Sequence, residues 1–230
     1  VLVDGETIAA IFAPGQGPDG PEVIDATGKY VIPGAVDAHT HMELPFGGTA
    51  ASDTFDTGTR AAAIGGTTTI IDFAVQRYGE VVHDSLAAWH AKAAGNCHID
   101  YAFHQILGGV DDESLKAMDE LIGEGITSFK LFMAYPGVFL SDDGQIVRAM
   151  QKAAGNGSLI MMHAENGSAI DVLVQQALAR GETDPKYHGL TRPWQTEEEA
   201  THRAIRLADL TGAPLYIVHM SAKQAVETLQ

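Results

Sequence analysis

Apolar segments return at a regular interval along this 230-residue chain. Each is nearly continuous in hydrophobicity, which is typical of strands buried on both faces of a parallel sheet. The predicted strands cover residues 30–37, 67–74, 98–107, 128–135, 158–164 and 214–220. The first five begin about 30 to 37 residues apart, which is the length of a repeated strand–helix unit.

Helical patterns fill the intervals between these strands. Several open with acidic residues and close on glycine, as helices commonly do. The predicted helices cover residues 52–64, 86–94, 111–123, 142–156, 167–180, 196–211 and 222–229. Thr196 followed by three glutamates predicts a capping box. Residues 181–195, rich in Pro, Gly, His and Arg, are expected to form an insertion over one end of the sheet.

The repeated units predict an α/β fold, either a doubly wound sheet or a (β/α)8 TIM-like barrel. No Gly-x-Gly-x-x-Gly follows the first strand, so a dinucleotide-binding fold loses its main support. About six βα units are present in residues 30–230, and a barrel needs eight, so we expect this chain to be truncated before strands seven and eight. Residues 1–29, with a turn at Asp4-Gly5, predict short strands that are part of a small β-sandwich domain.

The charge balance excludes several classes of partner. Lys and Arg number 14 against 30 Asp and Glu, giving a net charge of -16. Nucleic acids and anionic membrane surfaces both require a basic footprint, so neither is an expected partner. No apolar run approaches the roughly 20 residues that span a bilayer. Cys97 is the only cysteine, which favours a reducing compartment and predicts a cytoplasmic protein.

Four of the ten histidines fall at or near the ends of predicted strands. His39 and His41 are two residues apart, so in a strand both point to the same side. His163 and His219 occupy similar places in later strands, and Lys130 lies within another. A lone strand histidine is more often a hydrogen-bonded core residue. Because five polar groups recur in apolar strands, and imidazole is a frequent metal ligand, the pattern favours a metal cluster.

Lys130 is the informative member of this set. An ammonium group would repel a divalent ion, but burial and nearby metal charge lower a lysine pKa. The neutral amine can then react with carbon dioxide to form an anionic carbamate able to bridge two metals. The alternative is that Lys130 pairs with an acid such as Asp72.

These segments give the chain a specific likeness: it resembles the dihydropyrimidinase/hydantoinase family of the amidohydrolase superfamily. The likeness extends over essentially the whole chain, and the ordered set of motifs carries it more than any single one. The segments are residues 31–41, 65–69, 130–135, 163–166 and 219–221.

The resemblance implies a barrel enzyme with two divalent metal ions, expected to be Zn²⁺. By family pattern, His39 and His41 would hold one ion, His163 and His219 the other, and Lys130, as N6-carboxylysine, would bridge them. The family's aspartate at the end of the eighth strand has no counterpart here. The resemblance also implies a homotetramer.

The implied reaction is hydrolysis of the ring amide of 5,6-dihydropyrimidines (dihydrouracil, dihydrothymine) or 5-substituted hydantoins to N-carbamoyl amino acids. Tyr135 matches the tyrosine that donates to the developing oxyanion; its alternative is a core or rim aromatic. Leu44, Phe46 and Phe132 match positions that shape the substrate pocket, although each could equally be an ordinary hydrophobic residue.

Two other functions stay open. One is an allantoinase or dihydroorotase, which Lys130 also fits, although the Phe132–Tyr135 segment favours the dihydropyrimidinase branch. The other is a non-catalytic assembly protein like the collapsin response mediators, against which the intact metal-ligand set argues. His104 could lie beside the site or have a structural role. His188 with Arg192 suggests a packing or lid role. The remaining candidates are expected at the surface: His83, His90, His98 and His202.

Overall fold

The first residues form a small antiparallel hairpin. In the computed structural model, which describes residues 1–20 and 22–230, the chain divides into two units, Val1–Pro33 and Gly34–Gln230. In the first unit, β1 (Leu2–Asp4) pairs with β2 (Thr7–Ala10), and Gly5 takes a positive φ of 59° in the turn between them. Short N-terminal strands are thus present as expected; the β-sandwich assignment for residues 1–29 stays a prediction.

The second unit alternates strands and helices. In chain order its elements are β3 (Ala35–Thr40), β4 (Pro45–Phe46), β5 (Thr49–Ala50), α1 (Phe55–Gly65), β6 (Thr67–Val75), α2 (Val82–Ala93), β7 (Asp100–Ile106), α3 (Asp112–Gly123), β8 (Ser128–Phe132), α4 (Asp143–Asn156), β9 (Leu159–His163), α5 (Gly167–Ala179), α6 (Lys186–Leu190), α7 (Trp194–Thr211), β10 (Leu215–Ile217) and α8 (Lys223–Leu229). None of the helices in the described residues is both long and apolar enough to cross a membrane.

Six of these strands form one parallel sheet in the order β10-β9-β8-β7-β6-β3. Each strand therefore lies beside the next one along the chain, and the order never reverses. A doubly wound sheet requires such a reversal, so the topology is that of a barrel wound in one direction.

The sheet is strongly curled. Neighbouring strands lie about 4.8 Å apart, so the two edges of a flat six-stranded sheet would be separated by roughly 24 Å. Yet the rings of His39, on the edge strand β3, and His219, just after the opposite edge strand β10, have centroids 5.5 Å apart. The carboxyl ends of the first and last strands are thus brought together over the interior of the curl.

Two expectations about the strands were wrong in detail. The first strand runs over Ala35–Thr40 rather than residues 30–37, because Pro33 has no N–H to donate and Tyr30 is 97% exposed. The edge strands are not buried on both faces: Val36 is 60% and Tyr216 54% exposed. Within residues 1–20 and 22–230, each edge strand has a neighbouring strand on one side only.

Some helix ends follow the sequence grammar, and α4 does so at both ends. Asp142 accepts a hydrogen bond from Gln145 N at 2.8 Å, the Gln145 side chain accepts one from Asp142 N at 3.0 Å, and Gly157 ends the helix with a φ of 78°. The capping box predicted at Thr196 is not formed. That helix begins earlier, at Trp194, and the Thr196 hydroxyl donates to the carbonyl of Pro193 at 2.8 Å.

The core of the sheet contains one wholly buried strand, β8. Successive residues of a strand point to opposite faces. Phe129 and Leu131, both 0% exposed, therefore face away from Lys130, which lies between them. The lysine therefore points into the interior of the curl. The insertion at residues 181–195 contains the short helix α6.

Gly167, at the start of α5, lies where the chain packs most closely on the end of β8. A Cβ there would lie 2.7 Å from Ala134 Cα and 2.9 Å from Met133 O, both backbone atoms. We expect Gly167→Ala to lower the free energy of unfolding by about 1–3 kcal/mol, because the backbone would have to shift to make room for the Cβ.

Gly155→Ala in α4 is the matched control, because a Cβ at that position meets nothing within 4 Å. It should stabilise by about 0.5 kcal/mol in the same denaturant titration, and equal effects of the two variants would contradict the packing argument.

Candidate metal centre and active site

The first pair of histidines projects from the carboxyl end of β3. His39 lies within the strand and His41 follows its last residue. Their ring centroids are 5.1 Å apart, and His39 Nε2 lies 3.3 Å from Lys130 Nζ on β8. Strand spacing and sheet curl together therefore place both imidazoles beside the buried lysine.

The second pair comes from β9 and the segment after β10. His163 is the last residue of β9, and its Nδ1 faces His219 Nε2 at 3.1 Å. Because His219 also lies against His39, with ring centroids 5.5 Å apart, the two pairs form one cluster. All five residues predicted as metal ligands are thus brought together.

Two residues of the site hold unusual backbone conformations. Tyr135 has a φ of 63° and His219 a φ of 36°, values that non-glycine residues rarely adopt. The segment after His219 is tied down by Glu197, whose carboxylate accepts hydrogen bonds from Ser221 N at 2.6 Å and Ala222 N at 3.1 Å. Such strain persists where surrounding contacts impose it, and it is typical of functional sites.

The cluster favours neutral imidazoles. Burial, and then the nearby Lys130 charge, lowers the pKa of His39 to about 4 and that of His41 to about 3. Burial, followed by His163, lowers the pKa of His219 to about 4. Burial lowers the pKa of Lys130 to about 8. Neutral imidazole is the form that binds metals, and a lysine with a lowered pKa has an amine available to react.

These shifts predict a pH dependence of the metal-free protein. Unfolded histidines titrate near the ordinary pKa of 6.5, so below that pH the unfolded chain binds more protons than the folded one. The contribution of the two histidines to the free energy of unfolding is fully present above pH 6.5. It is lost as the pH falls through the folded-state pKa, about 4 for His39 and about 3 for His41. Denaturant unfolding of chelator-treated protein across this interval should show the decline. His41→Gln should flatten the profile and the exposed-site variant His202→Gln should not; a profile without slope would contradict the assignment.

The alternative ion pair between Lys130 and Asp72 does not form. Each oxygen of Asp72 accepts two hydrogen bonds from other groups, and burial raises the pKa of this carboxyl. Lys130 is 2% exposed and has aromatic neighbours instead, its Nζ lying 4.3 Å from the Phe73 ring centroid and 5.0 Å from that of Phe132. A buried lysine without a carboxylate partner is uncommon and requires another explanation.

The donor set fits a binuclear metal centre. His41 Nδ1 is buried and has no hydrogen-bond partner among the described residues. His163 Nδ1 and His219 Nε2 face each other, although only a proton or a metal can lie between two such lone pairs. Within residues 1–20 and 22–230, no three His, Cys, Asp or Glu side chains form a ligand set of their own.

Aromatic residues line one side of the cluster. The ring centroid of Tyr135 lies 5.2 Å from that of His163 and 5.1 Å from that of Phe46. Phe132 stacks on His163 at 5.3 Å, whereas Leu44 packs against the hydrophobic core. Burial raises the pKa of Tyr135, so the phenol keeps its proton at neutral pH and can donate it in a hydrogen bond.

A cavity of about 200 Å³ opens beside Tyr135, His163 and His219. The insertion contributes His188 and Arg192 to its wall, and Arg192 Nη1 donates to the His188 carbonyl at 2.9 Å. The site therefore has an opening between the cluster and the insertion. The other histidines lie on the outside of the unit and are exposed or half-exposed: His83, His90, His98 and His202.

A family comparison agrees with this geometry. The model of the amidohydrolase family matches residues 30–201, which is most of the chain. The chain belongs to the amidohydrolase family. Within it, the sequence is 66% identical over 233 residues to a D-hydantoinase from Streptomyces coelicolor, covering 100% of this chain and 50% of that protein. It is 38% identical to a dihydropyrimidinase from Rattus norvegicus, covering 100% of this chain and 45% of that protein. The predicted membership of the dihydropyrimidinase/hydantoinase branch is confirmed.

Solved structures of related amidohydrolases confirm the barrel class. A dihydropyrimidinase from Brevibacillus agri superposes with a TM-score of 0.90 at 49% identity, covering 93% of this chain and 46% of that one. A D-hydantoinase crystal structure gives a TM-score of 0.91 at 49% identity, covering 94% and 47%. The chain spans about half the length of the relatives it matches.

Sequence reasoning missed the hydrogen bonds of three carboxylates, Glu165, Asp72 and Glu197, to segments of the site. Glu165 accepts a hydrogen bond from His163 Nε2 at 2.7 Å, which lowers the pKa of Glu165. Its position two residues after a strand histidine is the signal that could have found it. Asp72 and Glu197 act on segments far away in the chain, and no local pattern marks them. For His104 the sequence left two roles open. Its Nδ1 bonds the Ser128 hydroxyl and its Nε2 lies 3.1 Å from the carbonyl oxygen of Ala38, the residue before His39.

Proposed function

We propose that the protein is a binuclear metal-dependent cyclic amidohydrolase. It would open the ring amide of 5-substituted hydantoins or 5,6-dihydropyrimidines, such as dihydrouracil and dihydrothymine, to N-carbamoyl amino acids. The observation that carries the proposal is the meeting of four imidazoles with Lys130, which is buried and has no acid partner among the residues that the structure describes. Of the two substrate classes we favour the hydantoins, because the relatives with the higher identities are named D-hydantoinase.

The proposed ligands divide into two pairs. His39 and His41 would hold one ion and His163 and His219 the other, with Lys130 shared as N6-carboxylysine. We propose Zn²⁺ for both positions, since imidazole-rich sites suit it. When bound, two such ions supply Lewis acidity and a nucleophile at neutral pH.

Lys130 prepares the shared ligand. Its neutral amine attacks carbon dioxide, a nitrogen–carbon bond forms, and one proton leaves to solvent, so that the side chain becomes an anion. Burial favours the neutral amine by lowering the lysine pKa to about 8. The rings of Phe73 and Phe132 lie close to Nζ, at 4.3 and 5.0 Å from their centroids.

Glu165 orients one of the proposed ligands. Its carboxylate accepts a hydrogen bond from the Nε2–H group of His163, which leaves the lone pair on Nδ1 of the same ring. That lone pair points toward His219. The carboxylate thereby selects the tautomer that can bind a metal.

Tyr135 would stabilise the oxyanion that develops on the ring carbonyl. The phenol is protonated, and no hydrogen bond from the described residues occupies its hydroxyl. Its aromatic neighbours Phe46 and Phe132 would, with Leu44, form an apolar wall for the ring substituent. The cavity at the insertion is of a size for a small cyclic amide.

We further propose a cytoplasmic homotetramer that binds neither nucleic acid nor membrane surfaces. The acidic charge of -16 supports the last two points. Sedimentation of the purified protein tests the assembly.

A substrate panel tests the reaction. The full-length protein, loaded with zinc, is assayed against dihydrouracil, dihydrothymine, 5-substituted hydantoins, allantoin and dihydroorotate. Ring opening of the hydantoins or dihydropyrimidines is expected. Turnover confined to allantoin or dihydroorotate would replace the proposed substrate, and a folded protein without about two transition ions per chain would refute the binuclear centre.

A further inference from the structure

Asp72 lies on β6, beside the strand that carries the first histidine pair, and is 0% exposed. Fully buried carboxylates are rare unless they are paired with a cation or fully hydrogen-bonded. No cation reaches this one within the described residues; four hydrogen-bond donors satisfy it instead. Nothing in the proposed chemistry uses it, so its position requires its own explanation.

The four donors divide into two groups. Oδ2 accepts from the Thr40 hydroxyl and from Met42 N, both at 2.8 Å, and these residues flank His41 on either side. Oδ1 accepts from Phe73 N at 2.8 Å and from Trp89 Nε1 at 3.2 Å, which belong to β6 and α2. One oxygen is therefore hydrogen-bonded to the segment around His41, and the other is hydrogen-bonded to β6 and α2.

The hydrogen bonds to Oδ2 take the place of strand pairing where the ladder between β3 and β6 ends. The pairing of β3 with β6 is irregular between Asp37 and Thr40, and its last matched residues are Thr40 and Asp72. Beyond Thr40 the chain leaves the ladder, so Met42 N has no strand carbonyl to bond. The Asp72 side chain supplies the missing acceptor.

His41 has no polar anchor of its own. Its buried Nδ1 is without a partner in the described part of the chain, and its ring lies stacked on Phe73 with centroids 4.8 Å apart. The orientation of the imidazole therefore depends on the backbone at Thr40 and Met42 and on the residue that follows Asp72.

We infer that Asp72 is a positioning residue that holds the His41 segment in the conformation that binds metal. The inference rests on the proposed metal centre but not on the proposed substrate. Its effect is selective, since it acts on the His39–His41 pair and leaves the His163–His219 pair, held by other residues, unchanged.

The experiment measures zinc affinity in the full-length protein by titration against a competing chelator. Thr40→Val removes the hydroxyl donor while keeping the shape of the side chain, and Asp72→Asn removes the charge and half of the acceptor capacity. Each substitution is expected to lower the affinity for one of the two zinc ions by about 10–100-fold, the usual effect of losing a group that orients a ligand. The double variant should weaken it no further than the stronger single variant.

Trp89→Phe is the matched control, because it removes a donor from the other oxygen of the same carboxylate. It should lower the melting temperature yet leave both zinc affinities within about twofold. Unchanged zinc binding in Thr40→Val would overturn the inference. So would an equal loss in Trp89→Phe, which would reduce Asp72 to a stabilising core residue.

The two proposals can fail separately. If the substrate panel shows no hydrolysis while the zinc results hold, the reaction is refuted and the role of Asp72 stands. A wild-type protein that binds no zinc overturns both.

Discussion

Lys130→Ala is expected to abolish hydrolysis, lowering kcat/KM by at least about a thousandfold, and to reduce zinc content. The physical reason is that the proposed bridge supplies a negative charge shared by the two histidine pairs. Kinetics with the best substrate of the panel and metal analysis of the same sample provide the measurement. Lys116→Ala is the control, since that lysine is an exposed partner of Glu120 and its loss should leave both values unchanged.

A second substitution tests whether the site needs a carbamate at position 130 or only a positive charge there. Lys130→Arg keeps a positive charge but cannot react with carbon dioxide at neutral pH, because its guanidinium stays protonated. It should therefore be as inactive as the alanine variant. An arginine variant that retained zinc and activity would contradict the bridge, as would an intact mass of the wild-type protein without one added carbon dioxide.

Tyr135→Phe is expected to lower kcat by about 10²–10³-fold, the usual effect of losing one oxyanion donor. Both zinc ions should stay bound and KM should change little, because the lost hydrogen bond forms in the transition state. The ring and its positive φ are retained, so the fold should not change.

The control for this variant is Tyr78→Phe, since Tyr78 is 79% exposed and away from the cluster. Its kcat should match that of the wild type. A Tyr135→Phe protein with unchanged kcat would show that the phenol is only part of the pocket wall.

The sequence predicted those features that repeat or are local. Continuous apolar runs located all six sheet strands, and the alternation of side chains within β3 placed His39 and His41 together. Boundaries were less certain, because a residue such as Tyr30 has strand-forming composition but lies before Pro33, where no ladder forms. The insertion could not be read as helix α6 from its composition, since Pro, Gly and His carry no clear period.

The residues that sequence reasoning missed act across long separations. Asp72 meets the His41 segment about 30 positions away, and Glu197 meets Ser221 across a helix. A carboxylate in a strand or helix has many possible partners, and only the folded arrangement selects one. His39 and Lys130 show the same limit, because their shared role was inferred but their 3.3 Å separation follows from the curl of the sheet.

The curl also determines when the site comes into existence. His39 lies in the first strand of the sheet and His219 just after the last, about 180 residues later, so closing that loop is among the more costly entropic steps in folding. Contacts of such high sequence separation are slow to form. During synthesis from the N-terminus, the first histidine pair emerges long before the second, and no partly folded chain that lacks β10 can bring both together. In the proposed centre, the two histidine pairs would therefore meet only after β10 has joined the sheet.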